Sequence, residues 1–497
     1  ADPHAQLMLE SMAVNGGMLD QLPAQVPEPW QGAAQAVDWV GRLRRASHQM
    51  PPVRILCAYE GIYQVTRRDL EQLGISAEQL ESDSFRLLED GNPVAFLLSP
   101  GGKSDAWEAL LFYSPGADRF SRPHRAYWLL SESAEAPPPQ RMTEAAWNPQ
   151  WETRTPRAAL LDRERAYFEF HTYNHLMPSS ANHARWSWLS VPPEEYREAL
   201  LDFPSVPRGD NQATLTLQVV GTWKVKEYPV VVYWNRQRVH EFTMPPQTVK
   251  EESIAIPLEK ILPGANRLAV ELPNEVKIRF PTTVEINDVK LRWPSELGPA
   301  DNTAPFEWEV KAGEASPASP LLLGLALSPR DSGEVFVVDV ADPAQPRRLQ
   351  VGQARAAQGQ AATACVAETS IGRHRYWVAT PESALRPWKI EAREVPELTG
   401  ESRGADYIAI TISELKDETR RLLELKSAQG MRTALVDVES IYDAFGYGTK
   451  SSRAIADFLK YAYCSWSRPA PYFVCLIGET SDYLADADGV PPGIQRD

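Results

Sequence analysis

Cysteine is scarce: four residues, Cys57, Cys365, Cys464 and Cys475, in a chain of 497, with no CxxC or zinc-ribbon spacing. Neither a disulfide scaffold nor a structural zinc knuckle organises such a chain. Positive charge is also short. Against 66 Asp and Glu stand 51 Lys and Arg, a net charge of -15, so phosphate backbones and anionic lipid would repel the chain as a whole. No nucleic-acid partner is expected. No apolar run reaches the roughly eighteen residues that a membrane helix needs, and the first residues lack the basic start and apolar core of a secretory signal. Glycine, at 28, is outnumbered by 42 prolines; with 15 Trp and 17 Tyr this favours short strands joined by loops over helical bundles or coiled coils.

What is present is an ordinary hydrophobic share, 43%, in a chain too long for one core. Multiple domains follow. Residues 1–50 read as a leader or linker arm holding one short amphipathic stretch, Ala36 to Arg45. Residues 51–150 read as a small β-rich domain. In it Val53, Ile55 and Cys57 belong to a first strand, Gly61-Ile62-Tyr63 opens a second, and Arg68 to Leu73 is a helical turn closed by Gly74. Phe85 to Leu88, Asp90-Gly91 and Val94 to Leu98 form a hairpin, because Asp-Gly supplies the positive φ of a tight turn. Ser131 to Gln140 is acidic and proline-rich, a loop or linker. Residues 151–300 carry alternating runs at Tyr167 to His171, Ala213 to Gly221, Pro229 to Trp234, Ser253 to Leu258, Arg267 to Leu272 and Val284 to Trp293, the spacing of a β-sandwich. Residues 301–400 add strands such as Glu334 to Val340 and Tyr376 to Ala379 in a β-rich linking domain.

From Ala405 the pattern changes to alternating strand and helix. Tyr407 to Ile412 is a short apolar strand, and Ser413 can cap a helix that Gly430 ends, with Leu415, Leu422 and Leu425 as its buried stripe. Thr433 to Val438 is a second strand. Ser451 to Tyr463 is a helix with Ile455, Phe458, Leu459 and Ala462 on one face. Tyr472 to Ile477 is a third strand, apolar throughout as in a strand covered on both faces. Strand, helix, strand, helix, strand implies a parallel sheet with right-handed crossovers.

These residues carry a family likeness. ADYIAITISEL, the I-Y-x-x-F-x-x-G segment at Ile441 to Gly448, the A-I-x-x-F-apolar-K helix and the strand end PYFVCLIG resemble the start of the catalytic domain of gingipain-type cysteine peptidases, in the caspase-like clan. Upstream, Gly61 to Thr66 with Asp69-Leu70 and Gly74-Ile75, then Trp186-Ser187-Trp188, Pro263 to Asn266 and Val338 to Pro343, resemble the accessory β domains of the same family. The resemblance implies accessory β domains followed, over 401–497, by the first half of a caspase-like α/β domain.

It also implies a cysteine thiolate that attacks the scissile carbonyl, a histidine that moves protons and backbone amides that stabilise the oxyanion. In that family the histidine follows a later strand, usually in a Gly-His-Gly turn, and the cysteine follows the next. This sequence has no Gly-His dipeptide. Cys475, inside the third strand, and Cys464, at a helix end, read as structural. The catalytic pair is therefore expected beyond Asp497, from a downstream segment or companion chain, and this chain alone is expected to be inactive on its protein or peptide substrates. Arg, Lys and Asp all stay open as the cleaved residue. The rival reading is a non-catalytic module: a sandwich for binding or adhesion, or a prosegment, that docks to a partner.

Several other constellations invite chemistry. His171 and His175, with His183 beyond, would suit a metal on a helix, but the surrounding alternation is that of a strand, which sets the first two about 13 Å apart. Glu479, Asp482, Asp486 and Asp488 cluster past the third strand, where open α/β sheets bind ligands; the resemblance implies calcium there, a solvated acidic loop being the plainer reading, and no other cofactor is required. Trp186, Trp188, Trp223, Tyr233 and Trp234 would make a sugar platform if they shared an exposed face, or a core if they point inward. Gln495-Arg496-Asp497 would suit a processing site or equally a fragment boundary, which intact-mass measurement on the complete reading frame distinguishes. The resemblance implies secretion or the cell surface, while four unpaired cysteines fit a reducing cytoplasm equally well.

Overall fold

The computed structural model describes residues 33–80, 85–100, 107–117, 124–132, 136–157, 160–167, 172–173, 186–203, 212–222, 227–273, 283–299, 304–327, 334–355, 362–400 and 403–478. The architecture is multidomain, with β-rich modules including a sandwich followed by a partial parallel α/β sheet.

The first module pairs a five-stranded and a three-stranded sheet. In the former the order is Lys389–Ala392, Val53–Cys57, Arg125–Ser131, Phe85–Glu89, Asn92–Pro93. The latter has the order Glu60–Thr66, Trp107–Pro115, Phe96–Pro100. Tyr63, Phe96, Phe112, Tyr127 and Leu87 fill the space between them. The helical turn read after the second strand is Arg67–Gln72, started by a capping box in which Thr66 and Asp69 satisfy each other's backbone amides. The Asp-Gly hairpin forms, with Asp90 and Gly91 both at positive φ, but it is shorter than read. Asn92–Pro93 pair back on Phe85–Glu89 and the Val94 amide donates to the Leu87 carbonyl at 2.8 Å, after which Phe96–Pro100 crosses to the other sheet beside Trp107–Pro115.

The amphipathic stretch of the N-terminal arm is a helix, Ala33–Ser47. Its buried side chains Trp39, Val40, Leu43 and Ala46 recur at helical spacing.

The sandwich sets a four-stranded sheet against part of a ten-stranded one. Leu201, Val230, Val232, Trp234, Leu268 and Val270 of the former interleave with Leu215, Leu217, Val219, Ile254, Ile286 and Val289 of the latter. The alternation read in the sequence is what points these residues inward. The larger sheet continues past residue 300, because Phe306–Val310 pairs with both Leu160–Tyr167 and Gly372–Ala379. The Pro263 to Asn266 motif closes one corner. Gly264 sits at positive φ, and the fully buried Asn266 accepts from the Leu262 amide at 2.9 Å and donates to its carbonyl at 2.8 Å.

Candidate functional site

The parallel sheet has Tyr407–Thr411 at its centre, flanked by Thr433–Asp437 and Phe473–Ile477. The two crossovers lie on opposite faces. Ile408, Ile410 and Val436 point to helices Val438–Phe445 and Ser452–Ser465, where Ile441, Phe458, Tyr461 and Ala462 complete a core. Thr411 points to helix Lys416–Ala428, whose Thr419 hydroxyl donates to it at 3.2 Å.

Two sequence expectations need correction here. Ser413 does not cap the helix: it lies in a single 3-10 turn and donates to Asp437 Oδ2 at 2.9 Å, so the helix begins only at Lys416. The buried stripe also differs from the one read. Thr419 and Leu423 are buried, whereas Leu425 is 66% exposed.

At the carboxyl edge, where open α/β sheets place their ligands, Asp437 gathers the polar groups. Its Oδ2 pairs with Lys416 Nζ at 2.6 Å, and its Oδ1 accepts from the Glu439 amide at 2.9 Å. Burial pushes its carboxyl up, but the Lys416 ammonium, the Glu439 amide and the Ser413 hydroxyl outweigh this and hold it below the ordinary value. Neither Lys416 nor Asp437 was singled out from the sequence. An Asp directly after an apolar strand and before a helix is the signal for such a cap.

The third strand is not covered on both faces by the described residues. Phe473–Ile477 is paired on one edge only among them, and Val474 and Leu476 are 45% and 60% exposed. Beside it an open groove of about 520 Å³ is lined by Ile408, Leu459, Tyr463, Cys464, Pro471 and Val474. Cys475 and Cys464 are both half-buried. Cys475 lies against Tyr407, whose hydroxyl is pushed up by burial and by that thiol. The last histidine of the sequence is His374, so no imidazole follows in the chain.

His374 belongs to a different cluster that the sequence did not reveal. It joins Asp339, Glu368 and Arg347, the four residues coming from four strands of the β region. His374 Nδ1 lies 2.8 Å from Asp339 Oδ2, and Arg347 reaches Asp339 at 3.2 Å and Glu368 at 2.6 Å. Glu368 also accepts from the Tyr376 hydroxyl and the Thr369 and Ser370 amides. The three metal-type ligands lie within 4.8 Å of one another. Arg347 already supplies a cation there, so the group reads as an ionic tetrad rather than a metal centre.

Of the aromatic platform, Trp188 and Trp234 are core residues; the Trp234 indole donates to the Lys260 carbonyl. Tyr233 faces outward, edge-on to Tyr196. Trp223, His171, His175, His183, Glu479, Asp482, Asp486, Asp488 and Asp497 lie outside the described residues, as does the side chain of Trp186. No described helix is long and apolar enough to cross a membrane.

A three-stranded parallel layer with helices on both faces, preceded by β modules, is a partial α/β domain. Residues 401–493 match the model of peptidase family C25. Over 85% of its length the chain is similar in fold to dimeric latent PorU from Porphyromonas gingivalis, with a TM-score of 0.53 and 13% identity. It spans 41% of that protein. A family 36 carbohydrate-binding module of a xylanase from the hindgut metagenome of Trinervitermes trinervoides aligns with 26% of this chain and 95% of its own, at 7% identity and a TM-score of 0.19. A family 35 carbohydrate-binding module from Clostridium thermocellum aligns with 28% of this chain and 97% of its own, at 14% identity and a TM-score of 0.16. Both are too distant to bear on function. A comparison with curated proteins returned no match.

Proposed function

We propose that this chain is the N-terminal portion of a gingipain-like cysteine endopeptidase, acting on proteins or peptides outside the cell or at its surface. A further polypeptide, continuous or separate, supplies the catalytic histidine and cysteine. The observation that supports this most is the flank of the parallel sheet that the described residues leave open. A strand with a row of unpaired edge groups and two exposed apolar side chains, beside an apolar groove, is a template for another strand and its covering helix. Within the C25 segment, Cys464 and Cys475 have no histidine to activate them, and His374 is held in the tetrad. On this reading the Asp437 network fixes the carboxyl edge while the added strands bring the thiolate and its base.

The test is purification from the complete reading frame in its native host. The expected product is this chain accompanied by, or continuous with, a segment bearing a Gly-His-Gly turn and a cysteine that a thiol alkylator labels with loss of cleavage. Peptide hydrolysis by residues 1–497 alone would contradict the proposal, as would a native product with no alkylator-sensitive activity.

A further inference from the structure

Asp443, on helix Val438–Phe445 of the C25 segment, is almost fully buried, and most of its partners come from far away in the chain. Arg54 Nη1 donates to its Oδ1 at 2.9 Å, from a position 389 residues earlier. Arg393 Nε donates to its Oδ2 at 2.8 Å. The Trp39 indole donates to its backbone carbonyl at 2.8 Å, across 404 residues. Arg54 itself is 5% exposed at its side chain and also holds Glu391 at 2.8 Å and Glu439 at 2.7 Å. Burial pushes the Asp443 carboxyl up against the pull of both guanidinium groups, so its charge depends on them.

Aromatic packing surrounds this ionic centre. Trp39 meets Trp128 edge-on at 5.7 Å and Tyr447 at 5.1 Å, and the Trp128 indole donates to the Tyr447 carbonyl at 2.8 Å. Gly448 passes so close that a Cβ there would meet Arg54 Cδ at 2.9 Å and Trp128 Nε1 at 3.0 Å. The helix Ala33–Ser47 straddles the boundary. Its Trp39 and Leu43 pack with Trp128 and Leu130 of the first module, while Val40 belongs to the core of the C25 segment. Leu398, from the connecting stretch, enters that core as well.

A surface on which a module rests temporarily is wet at its charges and closes each core separately. Here a desolvated carboxylate is matched by two guanidinium groups from separate stretches of the first module, and one core borrows residues from outside. Buried ion pairs of this kind contribute more to register than to raw stability. We infer that the N-terminal β module is a permanent intramolecular clamp for the C25 segment, its partner surface being helix Val438–Phe445, with Arg54, Arg393 and Asp443 fixing the docked register. It is neither a removable prosegment nor a detachable binding module. The inference holds whether or not the segment is completed into a peptidase.

The test uses the full chain carrying an inserted protease site after Gly400, an exposed residue of the connecting stretch, cut only after folding. The wild-type pieces should migrate as one particle in gel filtration at micromolar concentration and moderate salt. Arg54→Met in the larger piece and Asp443→Asn in the smaller should each weaken their association by roughly a hundredfold or more, because each removes one side of the ion pair that crosses the boundary and leaves its buried partner with less compensating charge. The double variant Arg54→Met/Asp443→Asn should lose less than the sum of the singles. Should the Asp443 variant fail to fold, Arg54→Met carries the same test on the other side, its own sheet being checked by thermal unfolding. Separation of the wild-type pieces on cutting would overturn the inference. Arg54→Met pieces that associate as tightly as wild type would do so too.

Discussion

Replacing Arg347 by methionine removes the one guanidinium that serves both buried carboxylates of the tetrad. Glu368 has no exposed side-chain surface and Asp339 only 8%, so after the change two desolvated anions share a single imidazole. Breaking such a pair costs about 3–5 kcal/mol; with Arg347 itself 22% exposed, the lower end, about 3 kcal/mol, applies. In a domain of this size that corresponds to a loss of about 6–12 °C in Tm. The pH dependence gives a second reading. Burial pulls His374 down, but its hydrogen bond to Asp339 and the charges of Glu368 and Asp339 raise it above its ordinary 6.5, while Arg347 holds it back. A raised imidazole contributes stability that is complete below about 6.5 and fades as pH climbs through the folded value. For Asp339 and Glu368 burial acts upward, but hydrogen bonds, from His374 to the first and from Arg347 and Ser370 to the second, bring both below the ordinary range. Their contribution is present above about pH 4–4.5 and lost as pH falls through the lowered values. Arg347→Met should therefore raise the His374 pKa further, as read by NMR of the ring, while thermal unfolding records the loss. A Tm within about 2 °C of wild type, or a His374 pKa that stays or falls, would refute the reasoning.

Other expectations follow from single contacts. Leu476→Asp puts a charge on the open flank; the chain's own Tm should move by less than about 2 °C, since surface changes are usually within 0.5 kcal/mol, whereas binding of a completing polypeptide in a pull-down should be lost. Trp234→Ala empties a fully buried site in the sandwich and should cost about 3–5 kcal/mol in urea unfolding. Asn266→Ala removes the bonds that lock the Leu262 to Gly264 corner and should cost about 1–3 kcal/mol by the same assay. Gly448→Ala forces a side chain onto a backbone at φ +83° and into Arg54 and Trp128; it should lower Tm more than Gly430→Ala, which meets no neighbour.

Strands whose sides differ in polarity were legible in the sequence, because alternation is itself the record of an inside and an outside. Ala213 to Gly221 and Ser253 to Leu258 are of this kind. Trp107–Pro115 and Arg125–Ser131 were missed, since both are buried on nearly every residue and carry little alternation. The three parallel strands were legible as apolar runs between helices, but the exposure of Val474 and Leu476 was not, because an apolar strand reads alike whether or not something covers it. The tetrad was illegible for another reason. Asp339, Arg347, Glu368 and His374 meet only through pairings that no local period encodes. The Asp437 edge carried a local signal, the Asp that caps the following helix, and the more obvious Ser413 drew the reading away from it.

The strand Lys389–Ala392 finishes the sheet begun by Val53–Cys57, and Arg54 meets Glu391 across 337 residues. During synthesis, at 5–20 residues per second, that partner emerges about twenty seconds to a minute after Arg54. Until then the first sheet has one bare border and a guanidinium without its mates, while the entire sandwich must mature as a looped-out insertion. Chain closure comes late, and the C25 segment leaves the ribosome only once its seat has been made ready.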